Sequence, residues 1–99
     1  MITGKQRSYL KSLAHHEEPL VFIGKDDVTE NIKQEIDRLL EARELVKVKL
    51  QESCILDPKE VANELAEELN AEFVQAIGHK FTLYRQAKDK EKRNIVLPR

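Results

Sequence analysis

The chain has 99 residues, of which 40% are hydrophobic and 35% are charged. This size and composition indicate one small globular domain and exclude a disordered chain, which lacks the apolar residues needed for a core. The longest apolar run, Leu20–Ile23, is too short to cross a bilayer, and no secretory signal is visible. The single cysteine, Cys54, excludes an intramolecular disulfide and a zinc–cysteine cluster, so we expect a reducing, cytoplasmic location.

The net charge is −1, but the charges are unevenly distributed along the chain. Residues 1–16 carry three basic residues and no acidic one, residues 17–78 carry seven basic and sixteen acidic ones, and residues 79–99 carry seven basic and two acidic ones. If the two ends meet in the fold, they form a basic face opposite an acidic one, and local potential attracts a polyanion. An ordinary solvated surface explains the charges alone equally well.

The first half of the chain alternates helix and strand. A capping box over Thr3–Gln6 predicts a helix, and apolar residues follow it at helical spacing. Leu20–Ile23 predicts a short buried strand that ends at Gly24. A second capping box over Asp27–Glu30 predicts another helix, with apolar residues at positions 32, 36, 39 and 40.

The second half predicts a strand, a helix and a hairpin. Residues 45–50 alternate between apolar side chains and lysine, which is typical of a half-buried strand. Asp57 and Pro58 form a strong helix start. Two apolar runs, residues 73–77 and 80–85, flank a Gly-His pair and predict a hairpin. Residues 87–99 form either a flexible tail or an added edge strand. The order α-β-α-β-α-β-β implies one α/β domain over residues 1–99, with a partly parallel sheet.

The sequence contains no pattern of catalytic residues. His15 and His16 are adjacent and point apart on a helix, so they cannot chelate one metal ion together. Cys54 has no basic neighbour in sequence to lower its pKa. No phosphate-binding loop with a Lys-Ser/Thr pair and no nucleophile elbow is present. We therefore expect no enzyme, no metal ion and no cofactor.

Two features of the chain could bind phosphate. The loop from Gly24 through Lys25 to Asp27 joins a strand to a helix N-terminus, which suits an anion, although a plain turn is the commoner explanation. Lys47 and Lys49 share one face of a strand, where an ordinary solvent face is the alternative.

The last strand and the segment after it could also contact RNA. Lys80 and Tyr84 share a strand face, on which Lys80 could meet a phosphate and Tyr84 could stack on a base. The alternative for Tyr84 is a place in the core with its hydroxyl satisfied. The lysines of residues 88–93 alternate with acidic residues, as in a soluble linker.

Taken together, several stretches resemble the CRM domain, specifically its bacterial single-domain YhbY type. They are Lys5–His15, Pro19–Gly24, Val28–Glu30, Glu44–Lys49, Val74–Gly78, Leu83–Arg85 and Leu97–Arg99. The resemblance implies a two-layer α/β sandwich around a four-stranded mixed sheet, similar to the C-terminal domain of translation initiation factor three. It also implies RNA binding without catalytic residues or a cofactor. Plant members assist intron splicing in organelles, and the bacterial form is linked to precursors of the large ribosomal subunit.

The RNA-binding loop of such domains is a Gly-x-x-Gly turn like that of KH domains. Here it falls on residues 24–27, with Gly24 in the first position and Asp27 in place of the second glycine. This departure shifts the expected RNA contacts to the N-terminal helix and the basic strands. The predicted RNA-binding residues are Lys5, Arg7, Lys11, Gly24, Lys25, Lys47, Lys49, His79, Lys80, Tyr84 and Arg85.

We therefore expect a monomeric RNA-binding protein that associates with ribosomal RNA or with precursors of the large subunit. The alternative is a protein–protein adaptor that meets basic ribosomal proteins through its acidic helices, near Glu30–Glu44 and Glu60–Glu72.

Overall fold

The computed structural model describes residues 2–24 and 28–99. Its elements are α1 (Gly4–Ala14), β1 (Val21–Ile23), α2 (Glu30–Arg43), β2 (Leu45–Leu50), α3 (Pro58–Glu68), β3 (Glu72–Ile77), β4 (Lys80–Tyr84) and a short 3-10 helix (Lys90–Lys92). The predicted α-β-α-β-α-β-β order is confirmed. Within these ranges, none of the helices has the length and apolar character needed to span a membrane.

Side-chain caps set the starts of the first and third helices. At α1, the Thr3 hydroxyl accepts a hydrogen bond from the Gln6 N–H at 3.1 Å, and the Gln6 side chain accepts one from the Thr3 N–H at 2.9 Å. At α3, Asp57 accepts from the Lys59 N–H, and proline occupies the first turn. Each cap satisfies backbone donors that have no partner inside the helix.

The start of α2 differs from the prediction. Its cap is Thr29, whose hydroxyl accepts from the Ile32 N–H at 3.2 Å, and the helix begins at Glu30. The predicted cap, Asp27, lies outside the described residues. Asp and Thr are both common capping residues, so the sequence offers two candidate caps. Thr29, two positions after Asp27, is the one that determines where the helix begins.

The strand order explains why one face of the sheet has no complete helical layer. The order is β1-β2-β4-β3, with β1 parallel to β2, and with β4 antiparallel to both β2 and β3. The crossovers through α2 and α3 both step in the same direction across the sheet. Because such crossovers are right-handed, both helices lie on the same face.

The main core lies between this face and the two helices, which together form the two-layer α/β arrangement. Strands β2 and β4 contribute alternate residues to it, as expected for a face that is buried on one side. Its larger fully buried members are Ile23, Ile36, Leu40, Val46, Val48, Leu50, Leu65, Phe81 and Leu83.

A smaller cluster occupies one end of the opposite face. Leu10 and Ala14 of α1 pack there against Leu45, Val74 and Tyr84, and all five are buried. An eleven-residue helix is roughly 17 Å long, so α1 covers only part of the sheet.

The hairpin between β3 and β4 has the predicted two-residue loop. Gly78 stands at its first position with φ +59°, a conformation that favours glycine. Val74 is the extra residue of a bulge in β3, so Phe73 and Gln75 pair with the consecutive residues Leu83 and Thr82.

Residues 87–99 contain no strand and pack against the domain. The fully buried carboxyl group of Glu44 accepts hydrogen bonds from the backbone N–H groups of Ala87 (2.8 Å), Asn94 (2.8 Å) and Ile95 (3.0 Å). Two side-chain contacts then bring the segment to α1. Lys5 Nζ donates to the Arg99 backbone oxygen at 3.1 Å, and the Gln6 amide donates to Pro98 O at 3.0 Å. The two ends of the chain therefore meet.

Candidate nucleic-acid interface

The face of the sheet opposite α2 and α3 carries its side chains in rows across the strands. Nearest α1, the row through Leu45 and Tyr84 is covered by the helix. The next row contains Lys47, Thr82 and Gln75. The row beyond that runs over all four strands, with Phe22, Lys49, Lys80 and Ile77 in register. We call the seven residues of these last two rows the open face, although Thr82 among them is itself buried.

A groove of about 450 Å³ lies over six of the seven residues of the open face, and Phe22 lies outside its lining. The end of α1 forms one wall of the groove and the β3–β4 hairpin forms the other. Of the residues that the structure describes, three lysines and two histidines line it, against one acidic residue. These side chains are Lys47, Lys49, Lys80, His15, His79 and Glu52. The groove therefore carries a positive potential at neutral pH, although the whole chain has a net charge of −1.

The two lysines of the outer row have free ammonium groups. Within the described part of the chain, neither Lys49 nor Lys80 forms an ion pair or a side-chain hydrogen bond. Lys80 is exposed and Lys49 is half-buried. Both ammonium groups can therefore bind an anion without first losing a protein partner.

Lys47 is partly committed to the fold. Its Nζ donates to Ala14 O at 3.2 Å and to Glu17 O at 3.4 Å, at the end of α1. A cation there satisfies carbonyl groups and complements the helix dipole. Lys47 thus holds the α1 wall of the groove in place, and one of its three donors remains for a ligand.

Two of the three predicted basic residues of α1 lie along the outer edge of the sheet. Arg7 and Lys11 line a second groove along β3, which shares Gln75 and Ile77 with the groove over the open face. Arg7 Nε donates to Phe73 O at 3.1 Å and so covers part of the unpaired strand edge. Lys5 lies elsewhere, beside the C-terminal residues.

The structure corrects two of the predicted RNA contacts. Tyr84 is only 4% exposed and belongs to the smaller cluster, so its ring cannot stack on a base. Burial, and then the nearby charge of Glu44, raise the pKa of Tyr84. The guanidinium group of Arg85 donates to Asp37 Oδ1 (2.7 Å), Asp37 O (3.0 Å) and Leu69 O (2.9 Å). Arg85 therefore ties β4 to the helical layer and does not face the groove.

The predicted phosphate-binding loop is only partly described. Gly24 follows β1, and a Cβ at this position would meet Gln51 Oε1 at an ordinary 3.7 Å. The described backbone therefore gives no steric reason for glycine here. Lys25 lies outside the described residues, so its contact with phosphate stays a prediction.

Sequence reasoning missed His15 and the two apolar residues of the open face. Phe22 is 55% exposed and Ile77 is 67% exposed. The apolar run Leu20–Ile23 indicated a strand that is buried on both sides. Only the register and the strand order reveal that the Phe22 side of β1 has no helix over it.

These features define a class of small α/β domain with helices on one face of a four-stranded sheet and a basic groove on the other. The chain belongs to the CRS1/YhbY (CRM) domain family, whose family model matches residues 2–85. The family resemblance in the sequence is thereby confirmed.

Individual proteins and a solved structure are similar to this chain over nearly its whole length. The chain is 41% identical to the probable RNA-binding protein YqeI of Bacillus subtilis, covering 99% of this chain and all of that protein. It is 38% identical to an RNA-binding protein of Haemophilus influenzae, covering 99% of this chain and 96% of that protein. The solution structure of SAV1595 from Staphylococcus aureus has a TM-score of 0.80 at 43% identity, covering 99% of this chain and all of the other.

Proposed function

We propose that this protein binds RNA without catalysing a reaction, and that the open face is its binding surface. The observation that carries the proposal is the groove, whose described lining includes three lysines, two histidines and one acidic residue. Phosphate groups supply most of the affinity in nucleic-acid binding, and lysines without protein partners can neutralise them. The RNA-binding relatives and the shared family support RNA as the polyanion.

The finer proposal is that the RNA is ribosomal and that the protein acts as a monomer on precursors of the large subunit in the cytoplasm. Its support is the resemblance to the bacterial single-domain type. The basic groove on one side and the acidic helices on the other also suit a protein placed between RNA and basic proteins.

Removing the two free lysines tests the binding surface. In the K49A+K80A variant we expect weaker RNA binding and a shallower salt dependence, by about 0.7–0.9 log units of affinity per log unit of salt for each lost phosphate contact. Filter binding or fluorescence anisotropy over a salt series measures both quantities. K90A removes an exposed lysine from the 3-10 helix and serves as the control. An unchanged affinity and slope in the double variant would rule out the open face.

The ribosomal target needs an experiment in cells. We expect cross-linking of the tagged protein, followed by sequencing, to enrich large-subunit ribosomal RNA, and a sucrose gradient to place the protein with precursor particles. Absence of ribosomal RNA above background, with the protein at the top of the gradient, would contradict this target.

A second candidate function is supported by an acidic groove between α2 and α3. The groove holds about 220 Å³, and four of its lining residues are Asp57, Glu60, Glu64 and Glu68. Lys33 Nζ lies 2.9 Å from Glu68 Oε2, and this contact raises the pKa of Lys33. The remaining acidic groups could receive a basic ribosomal protein. Binding to such a protein that survives RNase treatment would support the adaptor role.

A further inference from the structure

Phosphate binding alone does not explain the composition of the outer row of the open face. Its two ends are apolar: Phe22 lies on the edge strand β1, and Ile77 lies on the opposite edge strand β3. Lys49 and Lys80 lie between them in register. Single exposed apolar residues are common, but here both ends of one row are apolar and its centre is cationic.

The row also has the dimensions of a short stretch of nucleic acid. Neighbouring strands are roughly 4.8 Å apart, so about 14 Å separates the backbone at Phe22 from that at Ile77. The contacts of α1 are with the far end of the sheet, around Leu45 and Tyr84, and leave this row uncovered. A flat base can therefore lie against the Phe22 ring while its phosphate reaches a lysine.

We infer that the open face binds unpaired nucleotides of RNA, with one base stacked on Phe22 and another against Ile77. Lys49 and Lys80 hold the phosphates between these bases. The inference rests on the proposed RNA binding, and it adds that the recognised RNA is unpaired. A double helix keeps its bases stacked inside and presents phosphates and ribose, so it cannot use the two apolar ends.

The charge of the groove favours RNA over an apolar protein segment as the occupant. A protein that buried Phe22 and Ile77 would also have to cover the ammonium groups of Lys49 and Lys80. Burying unpaired charges is costly, whereas each phosphate of RNA supplies a counter-charge. Among the described side chains that line the groove, Glu52 is the one acidic residue.

The first experiment compares F22A and F22Y for binding to a short unstructured RNA and to the same strand annealed to its complement. Because stacking on an aromatic side chain is sequence-tolerant but needs a ring, F22A should weaken single-strand binding by about 5- to 150-fold. F22Y should keep most of the affinity, and duplex binding should not respond to either change. Y9A removes a partly exposed aromatic side chain of α1, outside the open face, and is the matched control.

A second measurement does not depend on affinity. The chain contains no tryptophan, so the F22W variant places its single indole fluorophore in the open face. Stacking of a base on this ring should quench its fluorescence during titration with the single strand, and the duplex should leave it unchanged.

The outcomes separate this inference from the proposed function. If F22A binds like Y9A and F22W shows no quenching, while K49A+K80A still loses affinity, RNA binding stands and base stacking is wrong. Equal affinity of the wild type for single strand and duplex also overturns the inference. If the wild type binds neither RNA, the proposed function fails and the inference fails with it.

Discussion

At the scale of single residues, Glu44 determines where the segment after β4 lies. It follows the last residue of α2, has φ +68° and is fully buried. For a residue other than glycine this backbone conformation costs roughly 1–3 kcal/mol. The hydrogen bonds that its carboxyl group accepts from three backbone N–H groups offset that cost and explain why a glutamate occupies the position.

Replacing the carboxyl group by an amide tests this explanation. Every partner of the Glu44 oxygens is a donor, so an amide nitrogen in E44Q would face a donor and leave it unpaired. We expect E44Q to lower the free energy of unfolding by about 1–3 kcal/mol, measured by urea denaturation. E67Q makes the same chemical change at an exposed position in α3 and should change it by less than about 0.5 kcal/mol. Equal effects of the two changes would contradict this role for Glu44.

At the scale of elements, caps and apolar periodicity predicted the helices and strands well. Thr3 and Asp57 act as caps, and the alternation in β2 separates core residues from lysines. The exceptions depend on contacts between distant parts of the chain. Helices often end at a glycine with positive φ, but Glu44 takes that position after α2. Buried hydrogen bonds to residues 87–95 hold Glu44 in this conformation. The same bonds hold the C-terminal segment against the domain, which periodicity could not show.

The contact between α2 and the 3-10 helix predicts a response to pH. Glu41 accepts hydrogen bonds from the backbone N–H groups of Lys88 (2.9 Å) and Asp89 (3.1 Å), and these bonds hold its pKa below the usual 4.5. A lowered pKa in the folded state stabilises the contact above the usual value, and that stability is lost as the pH falls through the lowered value.

Amide proton shifts can report this change within the folded protein. We expect the Lys88 and Asp89 amide signals to move together on acidification below about pH 4.5 in the wild type. In E41Q the side chain does not ionise, so the Lys88 signal should no longer follow the wild-type curve. The Asp89 signal does not decide this comparison, because Asp89 carries a carboxyl group of its own. E67Q, which changes a glutamate of α3, should behave like the wild type, and a wild-type response in E41Q would assign the change to another group.

At the scale of the whole molecule, opposite charges lie on opposite sides of the sheet. The open face carries lysines, whereas Glu60 and Glu64 of α3 line the acidic groove on the helical side. The shortest dimension of the molecule is 22 Å, well over the Debye length of about 8 Å at physiological salt. The acidic side should therefore repel RNA only weakly under cellular conditions.

Neutralising the acidic side tests this separation. At physiological salt, E60Q+E64Q should change the RNA affinity by less than about two-fold. At very low salt, where the Debye length reaches about 30 Å, the same variant should bind RNA more tightly than the wild type. Affinity measurements at both salt concentrations decide the matter. A large gain at physiological salt would mean that RNA contacts the helical side as well.

The sequence predicted part of the groove, because some of its residues follow a local pattern, whereas others depend on how the whole molecule packs. Lys47, Lys49 and Lys80 were predicted from strand patterns and His79 from its place between the two hairpin strands, and the fold brings them into one groove. Tyr84 has the same strand periodicity as Lys80, but α1 covers its end of the sheet. Local pattern gives the face to which a side chain points, whereas coverage of that face depends on which elements pack there.

The smaller cluster has a consequence for the order in which the protein assembles and opens. Its five members come from α1 and from three strands. Residues near both ends of the chain pack against it, namely Ile2, Leu13, Ile95 and Leu97. It can therefore form only after the sheet exists, and it has fewer buried apolar residues than the main core. In native-state hydrogen exchange, α1 and the C-terminal segment should open as one unit before the sheet does. Because α1 is one wall of the groove, each such opening would also remove that wall.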